Sequence, residues 1–359
     1  MELLFITSTR IGDAVLSTGL LDHLIATETA AGRPAPRVTV AVGAPAAPLF
    51  AGVPGLVRVL PIVKRPRAGH WRDLWRATIG TRWDLVVDLR GSAIAWLLRA
   101  RHRRVLSRHE DGRHKLYELA RTLDLDPPPA PRIWTRPEDH AAALAAFPEG
   151  SQPILALAPA ANWVGKQWPA ERFAELVGRL AGPGGVMAGA RVAVIAAHHE
   201  RPQAEPALAA ARAAGLEAPD IIGTLPLLGV QALLERAALF IGNDSGLMHM
   251  AAAAGAPTLG LFGPTPDALY GPWGPHAVAV RTPETYDRLA AERPTSPADR
   301  CYMTGLATDT VERAAVALLD RVAGAPNGRA HPGRHGYDVP SSAPGDPPRP
   351  PLTQRTDDA

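Results

Sequence analysis

Two runs of alternating short apolar segments and helical patterns, separated by a proline-rich stretch, are the feature that most limits how this chain can fold. The break falls at residues 126–137, where Asp126 is followed by three consecutive prolines. Proline can continue neither a helix nor a central strand. Strict alternation of strand and helix favours parallel sheets with crossover helices. The sequence therefore predicts an α/β architecture of two Rossmann-like, doubly wound parallel-sheet domains that face a central cleft.

The same pattern sets the predicted boundaries. We expect an N-terminal domain over residues 1–150, a second domain over 151–324, and a disordered tail over 325–359, which holds eight prolines and few large apolar side chains. Segment 281–308 has no clear pattern. The predicted strands are 3–7, 38–42, 57–63, 85–89, 154–158, 192–196, 220–222, 239–241 and 258–262, and the predicted helices are 12–30, 70–79, 91–100, 113–123, 169–181, 200–214, 227–237, 246–254 and 309–323.

Composition excludes several classes of protein. The 359 residues are 46% hydrophobic and 20% charged, which argues against a disordered, collagen-like or disulfide-rich chain. The single cysteine, Cys301, cannot form an internal disulfide. No apolar run approaches the roughly 20 residues of a membrane span, and the first residues lack the basic segment of a secretion signal. We therefore expect a cytoplasmic protein.

Basic residues are concentrated in the first half of the chain. Residues 1–150 contain 21 basic and 15 acidic side chains, whereas the remainder contains 17 and 20. Segment 58–113 alone has 14 basic and 5 acidic residues with four tryptophans among them. Such a segment suits an anionic glycolipid or a phospholipid surface, although a solvated arginine-rich face is the alternative. A nucleic-acid partner is disfavoured, because the second half is net acidic and carries no recognition motif.

Cofactor and metal signatures are missing from the sequence. No Gly-x-Gly-x-x-Gly follows a strand, and segment 160–167 lacks the first glycine and the final Ser/Thr of a P-loop. Asp124 and Asp126 spell an Asp-x-Asp but abut the prolines, and no His-Glu-x-x-His or cysteine cluster is present. The sequence therefore predicts neither a resident cofactor nor a metal.

The first positive signal is the turn at residues 8–13, between the first strand and the first helix. It contains Gly12, which permits a sharp bend, and Asp13, whose charge is favoured in the first turn of a helix. Open α/β sheets bind their ligands at this carboxyl end of the strands. Asp13 is thus a candidate catalytic group, with stabilisation of the helix start as the alternative.

Two further segments point to a diphosphate. Residues 240–249 run from a strand through a small polar turn into a helix, where free N–H groups at 244–247 would suit an anion and His249 lies one turn on. Lys166 precedes Trp168-Pro169 and can reach a phosphate as a point charge. The alternatives are a structural histidine and an ordinary surface lysine.

Together these segments resemble glycosyltransferase family 9, the ADP-heptose:lipopolysaccharide heptosyltransferases. The matching motifs occur in the family's order and span about residues 3–323. They are Gly12-Asp13, Lys166-Gln167-Trp168-Pro169, Asp244-Ser245-Gly246-Leu247-Met248-His249, Phe262-Gly263-Pro264-Thr265 and Cys301-Tyr302-Met303. The resemblance implies a GT-B fold, an acceptor site in the first domain, a nucleotide-sugar site in the second, and inversion at the anomeric carbon without an obligatory metal.

The resemblance also implies roles for individual residues. Asp13 would be the general base that deprotonates the acceptor hydroxyl, and Lys166 would neutralise the leaving diphosphate. Asp244 would contact the donor sugar or order its loop. The implied donor-binding residues are Asn162, Glu200, Asp244, Ser245, Gly246, His249, Gly263 and Thr265, and the implied acceptor-binding residues are Arg10 and Gly12.

Two segments depart from the family pattern. Residues 196–200 read Ala-Ala-His-His-Glu where the family has two glycines before an acidic residue that meets the ribose, and Glu200 occupies the acidic position. Residues 160–162 read Ala-Ala-Asn where polar pairs are usual. The first change removes the glycines that would let the backbone approach the donor beside Glu200. The second favours weaker donor contacts or a sugar other than heptose.

The expected function is therefore transfer of a heptose-like sugar from a nucleotide diphosphate, expected to be ADP, to a lipopolysaccharide core or related glycan. We expect the enzyme to be peripheral at the cytoplasmic face of the inner membrane. A nucleotide-sugar epimerase or hydrolase of GT-B type is one alternative, but it would leave the basic tryptophan-bearing segment unexplained. A non-catalytic glycan- or membrane-binding module is another, against which stand Asp13, Lys166 and His249.

Overall fold

Two five-stranded parallel sheets form the framework of the computed structural model, which describes residues 1–107, 112–297 and 299–324. They confirm the predicted α/β class, and the predicted tail over 325–359 lies outside the described residues. The strand order is β3-β2-β1-β4-β5 in the first sheet and β10-β9-β8-β6-β7 in the second. The strands are β1 (Glu2–Ile6), β2 (Arg37–Gly43), β3 (Leu56–Ile62), β4 (Trp83–Asp88), β5 (Ala100–Val105), β6 (Ile154–Ala158), β7 (Arg191–Val194), β8 (Leu239–Asn243), β9 (Thr258–Phe262) and β10 (Ala277–Arg281).

Helices cover both faces of each sheet, and no helix in these ranges has the length and apolar character needed to cross a bilayer. The helices are α1 (Ile11–Ala30), α2 (Gly69–Thr78), α3 (Ile94–Leu97), α4 (Lys115–Ala120), α5 (Pro137–Ala146), α6 (Ala170–Ala181), α7 (Arg201–Ala213), α8 (Leu227–Leu234), α9 (Gly246–Ala253), α10 (Asp267–Tyr270), α11 (Tyr286–Glu292) and α12 (Thr308–Ala323).

Strand β1 shows why a continuous apolar run forms a central parallel strand. Leu3, Leu4, Phe5 and Ile6 are all fully buried, since helices cover both faces of the sheet. Ile6 pairs with Ala41 of β2 on one side and with β4 on the other. The carboxyl ends of these three strands therefore lie side by side at one edge.

One hydrophobic core passes from the first domain into the second. It joins side chains of α1 and α4, such as Leu16 and Leu119, with Met248 and Met250 of α9. A second core lies between the second sheet and α6, α7 and α12, and a third lies beneath α2 and α3. Because the first core is shared, α1 and α9 pack directly against each other at the junction of the two sheets.

The proline-rich linker crosses α1 at a glycine. A Cβ on Gly19 would lie 2.5 Å from the carbonyl oxygens of Pro129 and Ala130, so only glycine permits this crossing. The Thr18 hydroxyl accepts a hydrogen bond from the Arg132 backbone N–H at 2.9 Å. The segment predicted as a hinge is therefore fastened to the first helix.

The structure differs from the predicted secondary structure at several places, and helices α5, α10 and α11 were not predicted. Residues 220–222 form a turn, because the Asp220 carboxylate accepts the Ile222 N–H at 3.2 Å in place of a strand neighbour. The predicted helix over 91–100 is only the four-residue α3, and it is followed by β5. Strand β10 was not predicted. The two missed strands, β5 and β10, lie at sheet edges, as do β3 and β7, which were predicted.

Candidate active site

The turn after β1 carries a carboxylate, Asp13, and leads into α1. Arg10 is the exposed N-cap of α1, and Asp13 lies half-buried in the first helical turn. The Ser8 hydroxyl donates a hydrogen bond to Asp13 Oδ2 at 3.4 Å. Asp13 is thus held at the carboxyl edge of the first sheet, with a helix N-terminus beneath it.

The second sheet brings Lys166 to Asp244. Lys166 ends a short 3₁₀ turn after β6, and its Nζ lies 2.9 Å from Asp244 Oδ2 and 3.2 Å from the Asp244 carbonyl oxygen. Asp244 is buried at the end of β8. The lysine predicted to meet a diphosphate therefore lies at the start of α9, paired with an acid from the same predicted motif.

Asn243, which the sequence analysis did not single out, fastens these loops together. Its side-chain oxygen accepts the Trp168 backbone N–H at 3.0 Å, and its Nδ2 donates to the Pro159 carbonyl at 2.6 Å. Asn243 is fully buried, so both bonds form away from water. The loop that carries Lys166 is thereby fixed against the end of β8. A polar residue at the end of an apolar strand was the available signal.

Several polar atoms around the start of α9 are buried without partners in the described part of the chain. They are Ser245 Oγ, at the N-cap, His249 Nδ1, one turn into the helix, and Thr265 Oγ1, in the turn after β9. Buried polar groups cost free energy unless something pairs with them. Together with the free N–H groups of a helix start, these atoms provide hydrogen-bonding groups suited to an anion.

Two glycines allow the helix starts of the two domains to touch. A Cβ on Gly12 would lie 2.9 Å from His249 Cδ2 and 3.5 Å from its Nε2, whereas one on Gly246 would lie 2.6 Å from Ile11 Cγ2. A real Cβ atom does not come within 3.0 Å of another atom, and therefore a larger residue at either position would force a side chain of the other domain to shift. The contact brings the first turn of α1, with Asp13, against the first turn of α9.

His249 is buried, with only 5% of its surface exposed. Burial lowers its pKa to about 4, with smaller contributions from Asp244, which raises the pKa, and from His114 and Lys166, which lower it. The ring is consequently neutral near pH 7. It carries one N–H donor, not the two of an imidazolium.

An aromatic group next to this contact was missed by the sequence analysis. His114 Nε2 lies 2.9 Å from the Gly271 carbonyl oxygen, and its ring lies 4.9 Å from that of Trp273. Tyr117 meets Trp273 edge to face at 5.8 Å. Burial, with the charge of Asp13, raises the pKa of Tyr270. The available signal was the aromatic cluster just after the Gly-Pro-Thr turn.

Arg90, like Arg10, is a cation at the carboxyl edge of the first sheet. The sequence analysis did not single out Arg90. The buried Asp88 carboxylate accepts the backbone N–H groups of Arg90 and Ser92 at 2.8 and 2.9 Å, which fixes the turn after β4. Burial raises the pKa of Asp88. Arg90 Nη1 is buried and has no hydrogen-bond partner among the described residues, and its guanidinium lies 5.5 Å from the Trp71 ring. The turn therefore presents a positive charge beside the turn that carries Asp13.

The remaining predicted residues lie outside α1 and α9. Glu200 accepts the Ala197 backbone N–H at 2.9 Å, which caps its own turn after β7. Asn162 is exposed in the loop after β6. A Cβ on Gly263 would lie 2.5 Å from Met303 Sδ, so a larger residue here would displace the Met303 side chain. Asp124 lies 3.0 Å from an arginine of β5.

Comparison with known proteins identifies what this arrangement is similar to. The profile described as glycosyltransferase family 9 (heptosyltransferase) matches residues 90–297, more than half of the chain. Lipopolysaccharide heptosyltransferase 1 of Pseudomonas aeruginosa is 28% identical over 312 residues, covering 76% of this chain and 82% of that protein.

Solved structures show the same likeness. Escherichia coli ADP-heptose LPS heptosyltransferase II has a TM-score of 0.68 at 20% identity, covering 90% of this chain and 100% of that chain. E. coli heptosyltransferase WaaC with ADP has a TM-score of 0.63 at 19% identity, covering 89% and 100%. These likenesses confirm the predicted GT-B fold.

Proposed function

The chain belongs to glycosyltransferase family 9, the heptosyltransferases, and we propose that it moves a heptose-like sugar from ADP to a lipopolysaccharide core or related glycan. The observation that carries this proposal is the contact between Gly12 and His249. It places the carboxylate on α1 and the anion-suited start of α9 in one cleft. In this proposal residues 1–150 bind the acceptor and residues 151–324 bind the donor.

The donor diphosphate binds at the start of α9. The helix N–H groups, the Ser245 hydroxyl and the neutral His249 ring supply hydrogen-bond donors, and Lys166 supplies positive charge. An ammonium group has three donors, so Lys166 can keep its bond to Asp244 while it contacts a phosphate oxygen. The solved relative with ADP supports the choice of nucleotide.

The reaction is an in-line displacement at the anomeric carbon. Asp13 takes the proton of the acceptor hydroxyl, and the acceptor oxygen forms its bond to C1 as the bond from C1 to the diphosphate oxygen breaks. Attack from the face opposite the leaving group inverts the configuration. Lys166 and the start of α9 stabilise the negative charge that collects on the departing ADP, with no metal required.

The acceptor lies at the carboxyl edge of the first sheet. Arg10 and Arg90 flank the turn that carries Asp13, and both can pair with phosphate or carboxylate groups of an anionic acceptor. Gly12 has no side chain and lies against His249. In this proposal Gly12 therefore contacts the acceptor through its backbone. A lipid-linked acceptor places the enzyme peripherally at the cytoplasmic face of the inner membrane.

A nucleotide panel tests the donor assignment. Calorimetry with ADP, UDP, GDP and CMP, each with and without EDTA, should give tight binding for ADP alone, unaffected by the chelator. Stronger binding of UDP or GDP would overturn the ADP-heptose assignment. Conversion of ADP-heptose to free sugar or to an epimer without acceptor would instead favour a hydrolase or epimerase.

A further inference from the structure

The outer face of α2 and α3 exposes large apolar side chains. Trp96 is 67% exposed, Leu97 is 60% exposed and Trp75 is 36% exposed. Both helices cover the same core, with Leu74 of α2 and Ile94 of α3 buried beneath them. The three exposed side chains therefore point away from one sheet face, and we refer to Trp75, Trp96 and Leu97 as the tryptophan tip.

The short helix α3, which carries Trp96 and Leu97, is fastened at its end by hydrogen bonds from β5. Arg103 of β5 donates hydrogen bonds to the carbonyl oxygens of Ala95 and Leu98 at 2.8 and 2.7 Å, which satisfies the end of α3. The Arg103 guanidinium also lies 6.0 Å from the Trp96 ring. An apolar tip held out of the core in this way is unfavourable in water unless a partner covers it.

Positive charge surrounds the tip. Segment 64–76 contains five basic residues and one acidic residue, Asp73, which pairs with Arg65 at 2.9 Å. Arg72 and Arg76 are exposed on α2 and make no ion pair with any described acidic side chain. Tryptophan and leucine beside unpaired arginines match the interfacial region of an anionic bilayer, where the rings insert and the guanidinium groups meet phosphates.

We propose that the tryptophan tip with Arg72 and Arg76 docks the chain on an anionic phospholipid bilayer. The surface adjoins the turn that carries Arg90, because α3 follows that turn and Trp71, in the first turn of α2, lies under the Arg90 guanidinium. Docking there presents the acceptor side of the cleft to the membrane. That orientation rests on the proposed function, whereas the binding itself does not.

Vesicle co-sedimentation of the full chain tests the proposal. The probes are vesicles of phosphatidylethanolamine with phosphatidylglycerol, and vesicles of phosphatidylcholine alone. The wild type should bind the anionic vesicles and bind the neutral ones weakly. The Arg72→Gln/Arg76→Gln variant should lose about fivefold in partitioning for each charge removed. Trp96→Ser/Leu97→Ser should lose on the order of tenfold or more.

Val186→Ser is the matched control, because Val186 is a similarly exposed apolar residue of the second domain. It should bind vesicles like the wild type. Absence of binding to anionic vesicles, or unchanged binding by Trp96→Ser/Leu97→Ser, would overturn the proposal. The proposal would also be overturned if the wild type formed oligomers without lipid and Trp96→Ser/Leu97→Ser dissociated them. The tryptophan tip would then belong to a protein interface.

Calorimetry with ADP on the same samples separates the two proposals. Normal ADP binding without vesicle binding would remove the docking surface and leave the transferase assignment standing. Vesicle binding without ADP binding would count against the transferase assignment alone.

Discussion

Gly12 in the first turn of α1 lies directly against His249 in the first turn of α9, since a Cβ on Gly12 would come within 2.9 Å of the His249 ring. The two residues belong to the two halves of the protein. One follows the first strand of the first sheet, and the other follows the central strand of the second. Asp13 is the next residue after Gly12, so the contact sets how closely the carboxylate approaches the start of α9.

Replacing Gly12 by alanine should therefore destabilise the fold. The added methyl group forces the His249 ring or the helix start to shift, and overpacking of this kind costs about 1–3 kcal/mol. Denaturant unfolding measures the loss. Gly178→Ala is the control, because Gly178 is also helical but its Cβ would meet nothing within 4 Å. Adding His249→Ala to Gly12→Ala should restore part of the stability; simple additivity of the two losses would contradict the contact.

Replacing Asp13 by asparagine should remove the base while keeping the shape of the site. We expect turnover to fall by roughly 10²–10⁴-fold, with ADP affinity nearly unchanged, because in the proposed mechanism the carboxylate acts on the acceptor hydroxyl. Steady-state kinetics and calorimetry give the two values. Turnover equal to that of the wild type would eliminate Asp13 as the base.

Replacing His249 by alanine should weaken nucleotide binding. A hydrogen bond from the neutral ring to a charged phosphate is worth about 1.5–3 kcal/mol, so ADP affinity should fall about 10- to 150-fold. The comparison variant is His140→Ala, whose histidine is exposed on α5. An unaltered dissociation constant for ADP in His249→Ala would argue against the diphosphate assignment.

Acid should destabilise the fold through His249. Its pKa is lowered to about 4 by burial from an ordinary value of 6.5, so the unfolded chain binds the proton more readily. The favourable contribution is therefore complete above about pH 6.5 and is lost as the pH falls toward 4. Between about pH 7.5 and about pH 5 the free energy of unfolding should fall by about 2 kcal/mol from this group.

Burial also lowers the pKa of His114, which adds a loss of the same sign. The His249→Gln variant should remove the His249 part of the pH dependence and leave the rest. A pH profile for His249→Gln that parallels that of the wild type would show that His249 is not buried as described.

The sequence was most informative where local physics decides structure. Central strands such as β1 and β6 are continuous apolar runs, and they were predicted within one or two residues. Strand β5 was not predicted, because it reads Ala-Arg-His-Arg-Arg-Val and has little apolar signal. Tertiary pairing with β4 determines that segment, not its own propensity.

The same distinction holds for the candidate site. Lys166, Asp244 and His249 could be found because each follows a recognisable strand-and-turn pattern. The sequence carried no sign that Gly12 would face His249, since that contact depends on how two domains pack. The partnership of His114 with Trp273 also joins distant segments, and only the assembled fold shows it.

The most direct test of the account is to incubate the protein with ADP-heptose and a lipopolysaccharide core acceptor, in the presence of EDTA. Mass spectrometry should show the acceptor gaining one heptose, and NMR should show an inverted anomeric linkage, with both signals lost in Asp13→Asn. Release of free heptose without any gain in acceptor mass, or a product that retains the donor configuration, would contradict the account.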